Sequence, residues 1–389
     1  MELKKGYKQT KVGLIPEDWD VKLIGDIATC FSGGTPNTSK REYYNGNINW
    51  ISSSELNKGR IFQTMEFISE LGLNNSSAKI VPANTFLLAM YGATAGVSAI
   101  TYVEGAINQA VLAIIPKQIK PEFLFQYFRF KKEIIIKTYT QGGQPNLSGS
   151  IVKSISIPLP PTNVEQSSIA TALSNIDELI AQTEKLIEKK KSIKQGVMQE
   201  LLKPKEGWVT KKLGEVCDVL DNLRKPLNDS ERQSMKGDIP YCGANGIVGF
   251  VNDYVIDDDI ILMAEDGGYF DEYKTRPIAY QMNGKCWVNN HAHILKSKKD
   301  YDQNFIFYSL VNKNILDYIN GGTRAKLNKG EMVNIVLSLP QNIIEQTKIA
   351  KVFIELSQNI AILETKLIKL KYQKQGMMQA LLSGKIRLL

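Results

Sequence analysis

What the sequence lacks narrows its chemistry first. Its 389 residues include only four cysteines, Cys30, Cys217, Cys242 and Cys286. They are widely scattered and never form Cys-x-x-Cys, which excludes a zinc ribbon and a disulfide framework. Long apolar runs are missing too. The longest apolar-looking stretch, Phe86 to Ile100, contains Tyr91, Thr94 and Ser98 and falls short of the roughly 20 apolar residues a membrane span requires. The opening MELKKGYKQT has no signal-peptide core, so the chain is expected to be soluble and cytoplasmic, with no membrane partner. A GxxxxGK[ST] loop and a strand-borne GxGxxG are both absent, which removes two common phosphate-cradling loops from consideration.

What is present is ordinary in bulk. Apolar residues make up 43%, aromatics 8% and charged residues 23%, values that exclude a disordered or fibrous chain. At about 150 residues per domain the length predicts two or three domains. Lys+Arg number 48 against 40 Asp+Glu, a net charge of +8. That excess permits a nucleic-acid partner without requiring one.

The organisation comes from an internal repeat. Glu165 to Leu202 aligns without a gap on Glu345 to Leu382, with sixteen identities in 38 positions. Random pairing would give about one in twenty. Weaker islands extend the match. Trp19-x5-Gly25-Asp26-Ile27 corresponds to Trp208-x5-Gly214-Glu215-Val216, and Leu87-Leu88-Ala89-x-x-Gly92 to Leu262-Met263-Ala264-x-x-Gly267. Ile107-Asn108-Gln109-Ala110 corresponds to Asn289-Asn290-His291-Ala292, and Phe123-x-Phe125 to Phe305-x-Phe307. The glycine pair before Leu147 recurs before Leu327. Each unit is therefore a diverged domain followed by a closely matched tail.

The tails carry a heptad seam. In the first, Ile169, Leu173, Ile176, Ile180, Thr183, Ile187, Lys190, Lys194, Val197 and Leu201 alternate steps of four and three. In the second the same register gives Ile349, Phe353, Leu356, Ile360, Leu363, Leu367, Leu370, Lys374, Met377 and Leu381. Such spacing calls for a helical partner, and the simplest partner for each tail is the other. Pro160-Pro161-Thr162-Asn163 and Pro340-Gln341-Asn342 mark the helix starts, after strand-like runs at Ile155 to Leu159 and Ile335 to Leu339. Gly196 and Gly376 stand inside the helices, either for a close backbone approach or by inheritance from a common ancestor. The preceding domains read as mixed α+β. Strands are expected at Asn47 to Ile51, Thr85 to Leu88 and Val111 to Ile115, and an aromatic helix from Pro121 to about Ile136, echoed by Asn304 to Ile319.

Catalytic patterns are weak. Asp259 with Glu272-Tyr273-Lys274 fits the string of a metal-dependent nuclease, but Glu-x-Lys also occurs at Glu2, Glu188 and Glu364. His291-Ala292-His293 would put two imidazoles on one strand face, yet no cysteine is near and the aligned Gln109 and Val111 could not both ligate. Ser150-x-x-Lys153 is an acyl-transfer dyad only as a string. Polar recognition is better served. Candidate DNA-contacting residues in the first domain are Lys40, Arg41, Tyr43, Asn49, Ser53, Tyr91, Asn108, Gln109, Gln144 and Asn146. In the second they are Arg224, Lys225, Asn245, Tyr273, Lys274, Arg276, Asn290, His291, Arg324 and Lys326. Asn and Gln pair with adenine edges and Arg with guanine, while Lys and Ser hold phosphates.

In their order, twice over, the Trp-x5-Gly opening, Leu-Leu-Ala-x-x-Gly, Asn108-Gln109, the glycine pairs and the Pro…Glu-Gln-x2-Ile-Ala helix starts form a familiar pattern. So does Pro240-Tyr241-Cys242-Gly243-Ala244-Asn245-Gly246-Ile247. The whole chain resembles the DNA specificity (S) subunit of type I restriction–modification systems. The resemblance implies two α+β target-recognition domains, each reading one half of a bipartite asymmetric DNA site. They would be separated by two long helices packed as an antiparallel coiled coil, with a pseudo-two-fold repeat. The divisions implied are 1–160 and 206–340 for recognition, 161–205 and 341–389 for the helical spacers. The implied partners are double-stranded DNA, two methyltransferase (M) subunits and restriction-translocase (R) subunits. This chain would bind no cofactor and catalyse nothing, with S-adenosylmethionine in the methyltransferase and ATP and Mg in the restriction subunit. A coiled-coil scaffold binding proteins only, or the nuclease fragment, are the alternatives. His291 stands where the first repeat has Gln109, and Glu265-Asp266 replaces Met90-Tyr91, so the second repeat departs from the pattern at those positions.

Overall fold

Each long helix starts at a corner that proline imposes. The first spans Asn163–Leu201 and the second Ile343–Leu381. Thr162 Oγ1 accepts from the Glu165 backbone N–H at 3.1 Å, and Asn342 Oδ1 from that of Ile344 at 2.8 Å, satisfying first-turn donors. The glutamine of each Glu-Gln is fully engaged. Gln166 Nε2 donates to Pro160 O at 3.1 Å while its Oε1 accepts from the Lys120 N–H at 2.9 Å. Gln346 repeats this with Pro340 O at 2.8 Å and the Asp302 N–H at 2.9 Å. One amide thereby ties together a strand end, a long helix and the start of the aromatic helix.

The two helices, in a computed structural model that describes residues 5–139, 146–321 and 325–388, run antiparallel. As partners on the first rise through Asp177, Glu184 and Lys191, those on the second fall through Lys374, Lys371 and Glu364, at 2.5, 2.7 and 3.0 Å. Every seam position named above is buried or half-buried. On the flank of the first helix, Leu179, Leu186 and Ile193 stay exposed. A Cβ built at Gly196 or Gly376 would meet nothing within 4 Å, so no backbone of the described chain approaches them closely.

The chain forms two compact units, Met1–Glu184 with Lys366–Leu389, and Lys185–Thr365. In the first unit a five-stranded sheet has the order Ala28–Ser32, Val111–Pro116, Thr85–Ala89, Ser98–Thr101, Arg60–Ile61. A four-stranded sheet has the order Glu66–Ile68, Tyr44–Ile51, Gly105–Ile107, Lys79–Val81. Phe86, Phe123 and Phe128 centre a core that also takes Ile169 and Leu173 from the start of the first long helix and Met378, Leu381 and Leu382 from the end of the second.

The second unit repeats the plan. One sheet is ordered Cys217–Val219, Ala292–Ser297, Ile260–Ala264, Ala279–Met282, the other Gly246–Val251, Ile239–Gly243, Lys285–Val288, Ile256–Asp257. A parallel pair recurs at the same place in both units, Tyr44–Ile51 with Gly105–Ile107 and Ile239–Gly243 with Lys285–Val288, and the first unit has a second, Ser98–Thr101 with Arg60–Ile61. The core of the second unit takes Met198 from the first long helix and Ile349, Ala350 and Phe353 from the second. The recurring Trp-x5-Gly also finds its reason. A Cβ on Gly25 would lie 3.2 Å from Lys153 Cβ, and one on Gly214 3.0 Å from Val333 Cβ. Both are tighter than ordinary van der Waals contact.

One expected element differs. The aromatic helix of the first unit runs Pro121–Tyr139, but its echo covers only Gln303–Leu310, followed by a 3₁₀ turn at Leu316–Tyr318. The carbonyl of Val311 is taken by the Ile278 N–H at 3.1 Å, and Asn312 Nδ2 donates to Tyr273 O at 2.7 Å. Asn314 Oδ1 accepts from the Leu316 N–H at 3.1 Å. Asparagine side chains here compete with the helical ladder. Among the described residues no helix is long and apolar enough to cross a membrane.

The first unit is closed by a latch. Arg387 pairs with Glu165, which is completely buried, and with Asp18 at 2.9 Å through both Nη atoms, its guanidinium 5.7 Å from the Trp19 ring centroid. The hydrogen bonds from Arg387 outweigh desolvation and hold the Asp18 carboxyl below its ordinary pKa. Replacing Arg387 with Ala strands the Glu165 carboxylate. Chemical denaturation should show the first unit destabilised by about 3–5 kcal/mol; a change within 0.5 kcal/mol would contradict the latch.

Candidate nucleic-acid interface

About half of the polar residues singled out in the sequence gather where the central strands of each unit end. In the first unit the strand Thr85–Ala89 runs on to Tyr91, which bridges to Asn146. The Leu147 N–H donates to Met90 O at 2.6 Å. In the second unit Ile260–Ala264 runs on to Asp266, which bridges to Lys326, and the Leu327 N–H donates to Glu265 O at 2.7 Å. Leu147 and Leu327 are wholly buried anchors. A neighbouring turn is also shared: Asn108 Oδ1 accepts from the Ala110 N–H at 3.1 Å, and Asn289 Oδ1 from the His291 N–H at 2.8 Å. Each side chain closes the turn on its own backbone.

The strand pairing corrects the expected match by one residue: Val111 pairs with Ala89 and Ala292 with Ala264, so His291 stands at the place of Ala110, and Asn290 at that of Gln109. The contacts made at the turn accordingly differ. The Tyr91 hydroxyl donates to the Gln109 carbonyl, while His291 Nδ1 lies 2.6 Å from Asp266 Oδ1. Gln109 is exposed, its Oε1 accepting from the Thr35 hydroxyl.

In the second unit charge has replaced these neutral contacts. His293, 1% exposed, places Nδ1 2.7 Å from Asp221 Oδ2 and Nε2 2.8 Å from Leu327 O. Arg224 pairs with Glu265 and, at 3.4 Å, with Asp221; Lys326 Nζ lies 2.9 Å from Glu265. Burial pushes the carboxyl pKa of Asp221 up, but hydrogen bonds from His293 and the Ile294 N–H outweigh it. Glu265 behaves likewise, with Arg224 and Lys326 outweighing burial. Both carboxyls are thus held below their ordinary values. Asp221, Glu265 and His293 are the one trio of possible metal ligands among the described residues, yet Arg224 and Lys326 already supply the positive charge a cation would bring. His291 and His293, expected as a possible pair, have separate partners.

The remaining candidates are distributed. Lys40 and Arg41 are exposed; Lys40 Nζ donates to the Tyr43 hydroxyl at 3.1 Å, and Tyr43 itself is buried. The Asn49 amide is spent within the fold, donating to Glu104 O at 2.8 Å and accepting from the Thr64 hydroxyl at 3.1 Å. Ser53 is half-buried. Lys225 is exposed beside the Trp287 ring, at 5.3 Å. Asn245 Nδ2 donates to Gly267 O at 2.8 Å, which brings it to the Asp266 turn. Asn290 is exposed, and its carbonyl accepts from Arg224 at 3.4 Å. Arg276 pairs with Glu272 at 3.1 Å and stacks on Tyr269 at 3.9 Å. Tyr273 and Lys274 instead line a groove against the long helices. Gln144 and Arg324 lie outside the described residues.

Sequence reasoning missed Asp221, Glu265 and His293 as parts of one network. Two acids directly after an apolar strand, Glu265-Asp266, were the available signal. Of the candidate cations, Arg224, Arg276 and Lys326 are paired with carboxylates, whereas Lys40, Arg41, Lys225 and Lys274 are exposed.

The pattern of the family described as "Type I restriction modification DNA specificity domain" matches residues 16–193 and 205–372. The chain is similar to the type I restriction enzyme MjaIX specificity subunit of Methanocaldococcus jannaschii, 27% identical across 98% of this chain and 96% of that one. The MjaVIII specificity subunit of the same organism is 25% identical across 99% and 96%. Among solved structures, the S subunit of a type I restriction–modification system from M. genitalium superposes with a TM-score of 0.68 over 98% of both chains at 17% identity, a likeness of fold.

Two substitutions separate buried from exposed charge. Asp221→Ala removes the partner of the buried His293 and should cost about 3–5 kcal/mol in urea denaturation. Lys225→Ala, on the surface, should stay within about 0.5 kcal/mol of the parent. Equal costs would contradict the network.

Proposed function

Since the chain belongs to the type I restriction–modification DNA specificity family, we propose that it is the subunit that reads DNA sequence for such a system. Each recognition domain reads one half of a bipartite asymmetric site, and the two long helices set the spacing between halves. The observation that carries this is the family match to both repeats in turn, joined to a repeated scaffold whose strand-end turns differ in chemistry. Equivalent scaffolds with different polar surfaces suit two different half-sites.

The division follows 1–160 and 206–340 for reading, 161–205 and 341–389 for spacing. The exposed cations Lys40, Arg41, Lys225 and Lys274 suit phosphates. The exposed Gln109, Asn146 and Asn290 offer amides of the kind that pair with adenine. Two methyltransferase subunits dock on the helices. Leu179, Leu186 and Ile193, exposed and seven residues apart, form a second apolar stripe that supports such docking. The methyltransferase brings S-adenosylmethionine, and restriction-translocase subunits bring ATP and Mg. This chain contributes recognition and no chemistry of its own. The nuclease reading gains no support, because Glu272 is paired with Arg276 and Asp259 and Glu272 belong to no cluster of three possible ligands among the described residues. The scaffold reading leaves the diverged strand-end turns without a purpose.

Mapping methylated bases in DNA treated with the assembled complex tests the reading directly; two fixed half-sites at constant spacing are expected, and methylation without sequence preference would refute it. Adding one heptad to each helix, after Glu188 and after Leu367, lengthens the rods by about 10 Å and should widen the spacer by about three base pairs. An unchanged spacer would end the idea of the helices as a ruler. Exchanging residues 19–150 for a foreign reading domain should alter one half-site only; a change in both would contradict modular reading.

A further inference from the structure

One site is equivalent in the two repeats and is completed in only one of them. In the first unit Asp177 on the long helix accepts from Gln126 Nε2 at 3.1 Å and Arg129 Nη1 at 2.7 Å, and meets Lys374 Nζ at 2.5 Å. Burial pushes its carboxyl pKa up, but Lys374 and Arg129 outweigh that and hold it below the ordinary value. The repeat places Ser357 where Asp177 stands and Lys194 where Lys374 stands. The aromatic helices likewise align Tyr308 with Gln126 and Val311 with Arg129. Of that ionic cluster the second unit keeps only the lysine.

The replacement is neutral and self-contained. The Tyr308 hydroxyl and Ser357 Oγ lie 3.0 Å apart, so neither offers a charge to Lys194. Lys194 Nζ instead sits 5.4 Å from the centroid of the Tyr308 ring. Lys313 lines the same groove, and among the described residues neither lysine has a carboxylate partner. Burial holds the pKa of both ammonium groups below its usual range. The only acid lining this groove, Glu364, is paired with Lys191 at 3.0 Å.

The groove measures about 900 Å³, within the roughly 300–1,000 Å³ of sites that bury small molecules. Met198, Pro277, Phe307 and Val311 supply an apolar wall beside the two cations. We propose that this groove binds a small phosphorylated molecule with an apolar or aromatic body. Its phosphate is held by Lys194 and Lys313, in the place that the Asp177 carboxylate fills in the first repeat. Two unpaired cations match a phosphate dianion better than a single carboxylate. The apolar wall suits a ring attached to that phosphate, whereas a DNA strand would present further phosphates to it.

The full chain should be titrated calorimetrically with adenosine 5′-monophosphate, inorganic phosphate, adenosine and a short non-specific duplex. The monophosphate should bind at one site, with adenosine and inorganic phosphate each weaker by about tenfold or more. Ser357→Asp restores the arrangement of the first repeat and fills the site from within. It should weaken the monophosphate by at least about tenfold while leaving affinity for the duplex unchanged. Lys194→Met, which keeps the apolar stem, should do the same and stands in if Ser357→Asp fails to fold. The proposal is overturned if the parent binds no monophosphate, if neither variant weakens it, or if the variants weaken the duplex instead.

Discussion

Two helices that each present an apolar seam, and cannot cover it alone, constrain everything else in this protein. Antiparallel pairing hides both seams. It also brings the start of one helix beside the end of the other, so each unit is finished by segments from both repeats. Ile169 and Met378 meet in one core, and Met198 and Ile349 in the other. The closer match of the tails follows from this. A change on one seam is felt by a partner some 180 residues away in sequence, whereas the strand-end turns face outward and answer to no such partner.

The turns show what that freedom permits. The backbone frame is held constant, down to the leucine anchor and the asparagine-closed turn, while a tyrosine and a backbone carbonyl in one unit give way to imidazole and carboxylate in the other. The second unit has gone further and built a charged network below its turn. Arg224 and Lys326, attractive as DNA ligands in the sequence, are both paired with Glu265. Which cations are left exposed at that turn depends on which carboxylates the fold has already paired.

The long helices were legible because their period, their capping residues and their duplication all spoke for the same answer. The strands at Thr85–Ala89 and Val111–Pro116 were legible as short β-branched or aliphatic runs. The shortened helix at Gln303–Leu310 was not, because Asn312 and Asn314 act through partners that periodicity cannot see. Tyr43 and Asn49 look like surface recognition residues on a page, but one is packed under a turn and the other joins two strands. Arg224 is separated from Glu265 by 41 positions, and nothing local in either segment announces that they meet. Charge was the least readable property, since the same lysine can be paired as Lys374 is or unpaired as Lys194 is, depending on one residue across the helix pair.

The latch at Arg387 bears on how the chain is made. Arg387 reaches Glu165 across 222 positions and Asp18 across 369, and the core it closes contains Met378 and Leu381. During synthesis at about 5–20 residues per second, the first unit to begin is the last to be completed. For about 10–40 seconds at that rate its apolar wall around Ile169 and Leu173 has no second helix to cover it. The second unit, continuous from Lys185 to Thr365, has all its parts as soon as it leaves the ribosome. The earlier-made half therefore stays open until Lys366–Leu389 have been made.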